Sequence, residues 1–260
     1  MLGINVWSEL KWDGPNEYVI TNWNSMDNEE TWEKHQNSSY ILKVPWNYIK
    51  AMPSAKLLEK LGWTDKSITY TINSRTSHRV RSPEHDYKEY DVLALGCSFT
   101  FGVGLPYEQC WPGMLEDKTG LRVKNAGRGG AGLTDCVYQL YRCFDEHVPK
   151  YVCVLEPPSS RVDIYIPDNF FMHERWLKRL NRIANFTLQS QPNLDFTLRV
   201  ANDVIQYICD KHNVKVVTIC CDNSGFLWDN PIPDLARDLA HSGIHYQDYV
   251  AEKFIKLLDL

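Results

Sequence analysis

From residue 91 onward, short apolar runs alternate with segments of helical periodicity, and this alternation is what most constrains the fold. Between these runs and after the last of them, apolar residues recur every three or four positions, as they do along one face of a helix. This pattern covers 133–144, 194–208 and 250–257. Strands that alternate with helices indicate a parallel sheet with helices on both faces, an α/β fold of three layers. The runs that predict strands are "DVLALG" (91–96), "LRVKNAG" (121–127), "YVCVLE" (151–156) and "VKVVTICCD" (214–222).

The first 87 residues have a different character. They hold six of the nine tryptophans and lack long periodic segments, and "SITYTINS" (67–74) is their one clear strand-like alternation. We therefore expect an irregular, aromatic-rich extension over residues 1–87, packed on a main α/β domain over residues 88–260. Its tryptophans could stack on sugar rings or anchor the extension to the domain, and we expect the anchoring role.

Composition excludes several classes of function. The 260 residues carry a net charge of −5 without a block of Lys and Arg, which argues against a nucleic-acid partner. The sequence contains no run of about 18 apolar residues, so it predicts no membrane span. The first residues lack the features of a signal peptide, so a cytoplasmic location is expected. The eight cysteines form no C-x-x-C pair, which predicts buried thiols rather than a disulfide framework or a metal site.

A serine stands where the first of these strands must turn into a helix. Ser98 lies in "GCSFTFG" (96–102), and active sites of parallel sheets lie at the carboxyl ends of the strands. Backbone N–H groups at such a turn can stabilise an oxyanion, and a serine becomes a nucleophile when a base takes its proton. Cys97 is the competing nucleophile, although we expect it to point into the sheet. A serine that merely caps a helix is the structural alternative.

One histidine among eight has an acid three positions before it. This pair, Asp238 and His241 in "DLAH", falls after the last predicted strand and before the terminal helix, at the same edge of the sheet as Ser98. The spacing alone is weak support, because chance gives such a pair in a chain with this many acids. The position is the stronger support, since there Asp238 can orient the imidazole and His241 can take the Ser98 proton. His245, four positions later, is the rival base.

The chain resembles the SGNH (GDSL-type) hydrolases at these segments. Ser98, Thr100 and Gly102 fit the first sequence block of that family, a serine followed by x-T-x-G. "NAGRGG" (125–130) is similar to the second block, in which an asparagine precedes a glycine whose N–H binds the oxyanion; by its offset from Asn125, that glycine is Gly130. The resemblance covers roughly residues 70–260, and "YTINSRTSHR" (70–79) is similar to a segment of phage and marine bacterial members.

"DLAHSG" (238–243) looks like the last block of the family. The resemblance implies a flavodoxin-like fold, Ser98 as the nucleophile, His241 as the base, Asp238 as its orienting acid and Gly130 as an oxyanion donor. It also implies an esterase that needs no metal or organic cofactor.

The chain departs from the family after the third strand. The family has an asparagine there as a further oxyanion donor, whereas this chain reads "EPPSSR" (156–161). The aligned residue is Ser160, or Ser159 with a slip of one residue, and its hydroxyl can donate a hydrogen bond. Arg161 follows and can either stabilise negative charge or form a surface ion pair. We expect Arg161 and Asn125 to contact the substrate.

A different function is suggested by "NAGRGGAG" (125–132), which matches the G-x-G-x-x-G pattern of dinucleotide-binding loops. Glu156 ends the next strand, where a ribose-binding acid would belong. However, the strand before the loop is polar, and another strand and helix precede it. This interpretation also leaves Ser98 and the Asp238–His241 pair unexplained.

The sequence therefore predicts a serine hydrolase that cleaves a carboxylic ester through Ser98, His241 and Asp238, with O-acetyl groups on a glycan as one substrate class. The second hypothesis is a non-catalytic module of the same fold, for instance a structural or attachment protein of a phage particle, which would place it in the virion. A dinucleotide-binding protein is the third. The expected partner is a small ester or an acylated glycan, and the sequence indicates no oligomeric state.

Overall fold

A computed structural model describes residues 4–8, 18–22, 27–43, 49–64, 68–73, 76, 78–158, 162–166, 191–221 and 234–260. The strands within those residues are β1 (Ile4–Ser8), β2 (Tyr18–Thr21), β3 (Ser39–Lys43), β4 (Ile49–Pro53), β5 (Tyr70–Asn73), β6 (Arg79–Val80), β7 (Val92–Gly96), β8 (Val123–Asn125), β9 (Tyr151–Glu156), β10 (Val162–Ile166) and β11 (Lys215–Cys220). The helices are α1 (Glu29–Gln36), α2 (Ser54–Lys60), α3 (Ser98–Phe101), α4 (Trp111–Thr119), α5 (Leu133–Glu146), α6 (Gln191–Lys211) and α7 (Ile244–Leu258). Two 3₁₀ turns span Pro83–His85 and Tyr107–Gln109.

The centre of the fold is a parallel sheet whose described strands lie in the order β11–β9–β7–β8. In chain order, β7 is the first of these four strands and lies between the second, β8, and the third, β9, which is the flavodoxin-like arrangement. The register aligns the strand ends: Ala94 lies opposite Asn125 and Cys153, and Gly96 lies opposite Leu155. The segments after β7, β8, β9 and β11 therefore meet at one edge of the sheet.

Helices cover both faces of this sheet. On one face, α5 and α6 pack on Leu93 and Leu95. On the other, α4 and α7 pack on Val92 and Ala94. All five residues of β7 are buried, because each face of a central parallel strand is covered by helices. The predicted α/β fold of three layers is confirmed, and each predicted strand and helix of the segment from residue 91 onward is present.

The N-terminal region forms smaller sheets of its own. Strands β2, β5 and β6 are antiparallel in that order, and β3 and β4 form a second antiparallel pair. β1 instead pairs in parallel with β10, which is distant in sequence. The strand predicted at 67–74 is present as β5, whereas the other N-terminal elements were not predicted. The division after residue 87 stays a prediction.

Two apolar clusters join the N-terminal region to the rest of the chain. In one of them, Leu57 and Leu58 of α2 pack with Leu235 and Leu239 from the segment before α7. The other cluster consists of Ile68, Tyr70, Phe101 and Val103. Burying one such side chain contributes about 1.5–3 kcal/mol. The N-terminal region therefore packs on the segment that follows β7 and on the segment that precedes α7.

The tryptophans of this region that the structure describes serve as anchors. Trp32 is buried in the cluster with Leu235, and the half-buried Trp63 donates its indole N–H to the Leu235 carbonyl at 3.0 Å. The anchoring role is thus confirmed for these two. Trp12, Trp23 and Trp46 lie outside the described residues, as does the side chain of Trp7.

The predicted burial of the cysteines is confirmed for six of the eight. Cys221 is half-buried and Cys220 is exposed. Burial raises the pKa of the Cys143 thiol to about 12, so this thiol stays protonated at neutral pH. Among the described residues, no helix has the length and apolarity needed to cross a bilayer.

Candidate active site

Ser98 lies where β7 turns sharply into the short helix α3. The turn depends on Gly96, which has φ +152°; a Cβ atom there would lie 2.7 Å from the Leu155 carbonyl oxygen and would overlap the Thr100 side chain. Ser98 is the first residue of α3, so its N–H has no acceptor within that helix. Its side chain is fully buried, and its Oγ has no hydrogen-bond partner among the described residues.

A buried arginine supports the other end of α3. The Arg79 guanidinium donates to the carbonyl oxygens of Phe101 (2.9 Å), Gly102 (2.5 Å) and Leu105 (2.5 Å). These carbonyls belong to the last residue of α3 and to the turn after it, and a positive charge is favourable at the C-terminus of a helix. Gly102 ends the helix in the left-handed conformation, with φ +79°. Arg79 therefore fixes the turn that leads away from the serine.

Asp238 and His241 form a tight buried pair. Asp238 Oδ2 lies 2.5 Å from His241 Nδ1, and Asp238 Oδ1 accepts the N–H groups of Ala240 and His241, both at 3.1 Å. The side chains are only 2% and 7% exposed. A carboxylate at Nδ1 makes this nitrogen the donor, which leaves the Nε2 lone pair available to take a proton.

The two parts of the predicted site lie next to each other. The ring of Phe99, which follows Ser98, contacts the His241 ring edge-on with 5.2 Å between centroids. Ser98 Oγ and His241 do not hydrogen-bond in this structure. Such bonds often form or tighten only when substrate binds. The fold thus places the Asp238–His241 pair beside the residue that follows Ser98, and a catalytic triad of the three residues stays a prediction.

The glycine-rich loop after β8 packs directly against α3. The Asn125 side chain donates to the Thr100 carbonyl at 2.9 Å and accepts the Gly127 N–H at 3.0 Å. A Cβ atom at Gly127 would lie 2.5 Å from the Phe101 nitrogen, so only glycine allows this approach. Gly130 is half-buried and has φ +82°. The contacts of Asn125 lie within the protein, and a contact with substrate stays a prediction.

The loop differs in detail from a phosphate cradle. Gly127 donates its N–H to Asn125 Oδ1, so this group is not available to a pyrophosphate. Glu156, the predicted ribose-binding acid, accepts a hydrogen bond from Asn202 of α6 at 3.4 Å. The close packing on α3 accounts for the glycine at position 127, so a bound nucleotide is not needed to explain it.

The structure also describes the two rival residues, Cys97 and His245. Cys97 is fully buried at the start of α3. His245 is exposed in the first turn of α7, and its backbone N–H donates to Asp234 at 3.3 Å. Ser159, Ser160 and Arg161, predicted as oxyanion and substrate groups, lie outside the described residues.

Three residues near the site were missed by the sequence reasoning. Arg237, immediately before the predicted acid, is fully buried and binds Asp27 through its guanidinium, with a shortest distance of 2.6 Å. Tyr70 is buried beside them and donates to the same carboxylate. No local signal could reveal these contacts, because Asp27 and Arg237 lie 210 positions apart.

The described residues contain no group of three or more His, Cys, Asp or Glu that could hold a metal ion. No protein-family profile matches the chain, and no curated protein sequence matches it significantly.

The chain is similar in structure to a member of the lipolytic protein G-D-S-L family from Veillonella parvula, with 16% identity over 66% of this chain and 98% of that chain and a TM-score of 0.34. It is also similar to a family 3 carbohydrate esterase from Clostridium thermocellum, with 14% identity over 66% of this chain and 96% of that chain and a TM-score of 0.33.

Proposed function

We propose that the chain is a serine hydrolase that cleaves a carboxylic ester. The observation that carries the proposal is the buried Asp238–His241 pair, whose imidazole contacts the residue next to Ser98, a buried serine whose hydroxyl has no hydrogen-bond partner in the part of the chain that the structure describes. A buried hydroxyl without a partner is unfavourable for folding, and a nucleophile is a reason to keep one. The sequence blocks around the three residues support the same reaction.

In the proposed reaction, Ser98 Oγ attacks the ester carbonyl while His241 Nε2 takes its proton. Asp238 holds the imidazole in the required tautomer and stabilises its protonated form. When the tetrahedral intermediate collapses, the C–O bond breaks and His241 gives the proton to the leaving alcohol. Water, activated by the same imidazole, then attacks the acyl-enzyme and releases the carboxylic acid and the free serine.

The oxyanion is proposed to be bound by backbone N–H groups of Ser98 and Gly130. The Ser98 N–H has no acceptor within α3, and the positive φ of Gly130 gives the loop a conformation that other residues rarely adopt. Ser160 and Arg161 are proposed as further groups, on sequence alone. Losing one oxyanion donor typically lowers the rate about 100- to 1000-fold.

The substrate proposal is an acyl ester of small size, with O-acetyl groups on a glycan as one candidate. Sugar stacking by the N-terminal tryptophans gains no support from Trp32 or Trp63, because both are used in internal contacts. The buried Ser98 side chain implies that the surface above it opens before an ester reaches it.

A direct test is labelling with a fluorophosphonate probe together with turnover of 4-nitrophenyl acetate. We expect wild type to be labelled at Ser98 and to release 4-nitrophenol. We expect Ser98→Ala to lose labelling, and its turnover rate to fall at least about 1000-fold, because the nucleophile is absent.

The matched control is Ser54→Ala, which removes another buried serine hydroxyl, one that lies 3.2 Å from Ser38 Oγ. This variant is expected to label and turn over as wild type does. Equal turnover by wild type and Ser98→Ala, with no probe on Ser98, would contradict the enzyme proposal and favour the non-catalytic module.

A further inference from the structure

Two segments of the candidate site are in direct backbone contact. One is the turn that follows α3, and the other precedes α7 and carries Asp238 and His241. Arg237 N–H donates to the Gly104 carbonyl at 3.0 Å. A Cβ atom on Gly104 would lie 2.9 Å from Ala236 Cβ and 3.2 Å from the Asp238 nitrogen. The separation of the segment with the nucleophile from the segment with the base is therefore set near Gly104.

The Tyr70 hydroxyl joins both segments through a third element, β5. It accepts the Gly104 N–H at 2.9 Å and donates its proton to Asp27 Oδ2 at 2.5 Å. Burial, and next the nearby Asp27 carboxylate, raise the pKa of Tyr70 well above its usual value, so the hydroxyl keeps its proton. With one proton and one bonded lone pair, the direction of both hydrogen bonds is fixed.

Asp27 passes this connection on to the other segment. Its carboxylate binds Arg237 through two contacts, Oδ1 to Nε at 3.2 Å and Oδ2 to a terminal nitrogen at 2.6 Å. The two side chains are 2% and 0% exposed, so the pair is shielded from water and from salt. Arg237 directly precedes Asp238, and a displacement of its backbone therefore moves the acid and the base.

Further hydrogen bonds from the N-terminal region reach the same segment. His35 Nε2 lies 3.0 Å from the Asp238 carbonyl oxygen, and Trp63 donates to the Leu235 carbonyl. On the nucleophile side, Arg79, which binds the carbonyls after α3, lies with its guanidinium carbon 4.7 Å from the centre of the Tyr70 ring. Tyr70 thus contacts Arg79, which binds the turn after α3, and Asp27, which binds the segment before α7.

We propose that Tyr70 is a positioning residue for ester hydrolysis, because its hydroxyl holds the Asp238–His241 segment at a working distance from Ser98. This inference rests on the proposed function. Asp238 and His241 also bond to each other within their own segment. Loss of the Tyr70 hydroxyl is therefore expected to shift the pair as a unit and leave the pair itself intact.

The test is Tyr70→Phe, with Tyr90→Phe as the matched control. Tyr90 is equally buried, and its hydroxyl donates to the carbonyls of Cys143 (2.9 Å) and His147 (3.1 Å). It precedes β7 at the opposite end of the strand from Ser98, roughly 20 Å away at 3.3 Å per residue. Both variants lose one buried hydroxyl from a tyrosine, and both are expected to melt a few degrees below wild type.

For 4-nitrophenyl acetate, Tyr70→Phe is expected to lower kcat about tenfold with KM within twofold, because proton transfer depends on the Ser98–His241 distance and binding does not. The pH at which kcat/KM is half-maximal is expected to stay at its wild-type value, because Asp238 still holds the imidazole. Fluorophosphonate labelling of Ser98 is expected to slow about tenfold. Tyr90→Phe is expected to match wild type in all three measurements.

Equal kcat values for Tyr70→Phe and Tyr90→Phe, in a protein whose wild type is labelled at Ser98, would overturn the positioning role and leave the proposed function standing. Failure of wild type to label or turn over would remove both proposals. If Tyr70→Phe does not fold, Asp27→Asn decides, because Asp27 carries the connection from the Tyr70 hydroxyl to Arg237: a fall in kcat of threefold or more at unchanged KM supports the proposal, and an unchanged kcat overturns it.

Discussion

At the scale of single residues, Ser98 is unusual because its hydroxyl is buried without a hydrogen-bond partner among the described residues. A buried polar group in this state lowers stability by about 1–3 kcal/mol. Ser54, by contrast, is as deeply buried, but its hydroxyl is within hydrogen-bond distance of Ser38 Oγ. The same substitution is therefore expected to have opposite effects on stability at the two positions.

Ser98→Ala is expected to raise the free energy of unfolding by about 1 kcal/mol, because it removes a desolvated hydroxyl that makes no hydrogen bond to any described residue. Ser54→Ala is expected to lower it by a similar amount. Urea unfolding followed by circular dichroism measures both values. A Ser98→Ala variant less stable than wild type would indicate that the hydroxyl has a partner in solution.

At the scale of elements, β6 and α5 are linked by a buried histidine. His78 precedes β6, is 2% exposed and lies 3.0 Å through Nε2 from Gln139 Oε1 of α5. Burial lowers the pKa of His78 to about 3, helped by the positive charges of Lys124, Arg142 and Arg128. The neutral imidazole is therefore the form that the folded protein accommodates.

This shift predicts a loss of stability in acid. Between the ordinary histidine pKa of about 6.5 and the folded value of about 3, the unfolded chain binds a proton that the folded chain does not. Stability therefore falls with falling pH across this window, by about 1.4 kcal/mol per pH unit for one proton. The free energy of unfolding of His78→Gln is expected to have a shallower slope than wild type by about that amount between pH 6 and pH 4.

The control for this measurement is His245→Gln, since His245 is exposed. Its slope between pH 6 and pH 4 is expected to equal that of wild type. Equal slopes for wild type and His78→Gln would mean that His78 is protonated in the folded state.

Elements could be predicted from the sequence where their pattern is local and long. β7 and β9 are continuous apolar runs, and α5 keeps one apolar stripe over 14 residues, so each reveals its burial by itself. In contrast, α1 has one buried residue, Trp32, and therefore no apolar stripe along one face. β4 ends in Pro53, a residue that does not indicate a strand. Such elements are stabilised by tertiary contacts that a local pattern does not contain.

The same distinction applies to the candidate site. Ser98 and the Asp238–His241 pair were found because each follows a recognisable strand and carries its own chemistry. Arg237 and Tyr70 were missed because their importance lies in partners far away in sequence. Arg237 stands beside Asp238 in the sequence, a pattern typical of a surface ion pair. Only the structure shows that Asp27 binds it in the interior.

At the scale of the whole molecule, the N-terminal region and the α/β unit share apolar cores. Removing residues 1–87 would expose Phe101, Val103, Leu235 and Leu239, and would remove the carboxylate that Arg237 binds. Burying one large apolar side chain contributes about 1.5–3 kcal/mol, against a total stability of about 5–15 kcal/mol, so exposing four of them removes a large share of that stability.

A chain that starts at residue 88 is therefore expected to lack a cooperative fold, even though it contains the whole parallel sheet. Thermal melting followed by circular dichroism, together with fluorophosphonate labelling, measures this outcome against the full chain. A soluble fragment with a sharp melting transition and full labelling would show that residues 88–260 are an independent domain.

The ion pair between Asp27 and Arg237 also has a consequence for biosynthesis. Its partners are 210 residues apart in sequence. Because ribosomes add about 5–20 residues per second, Arg237 is synthesised roughly 10–40 seconds after Asp27. During that interval most of the parallel sheet is already synthesised, yet Asp238 and His241 have not emerged. The proposed ester cleavage would therefore become possible only after residues 234–241 have been synthesised and have docked onto the N-terminal region.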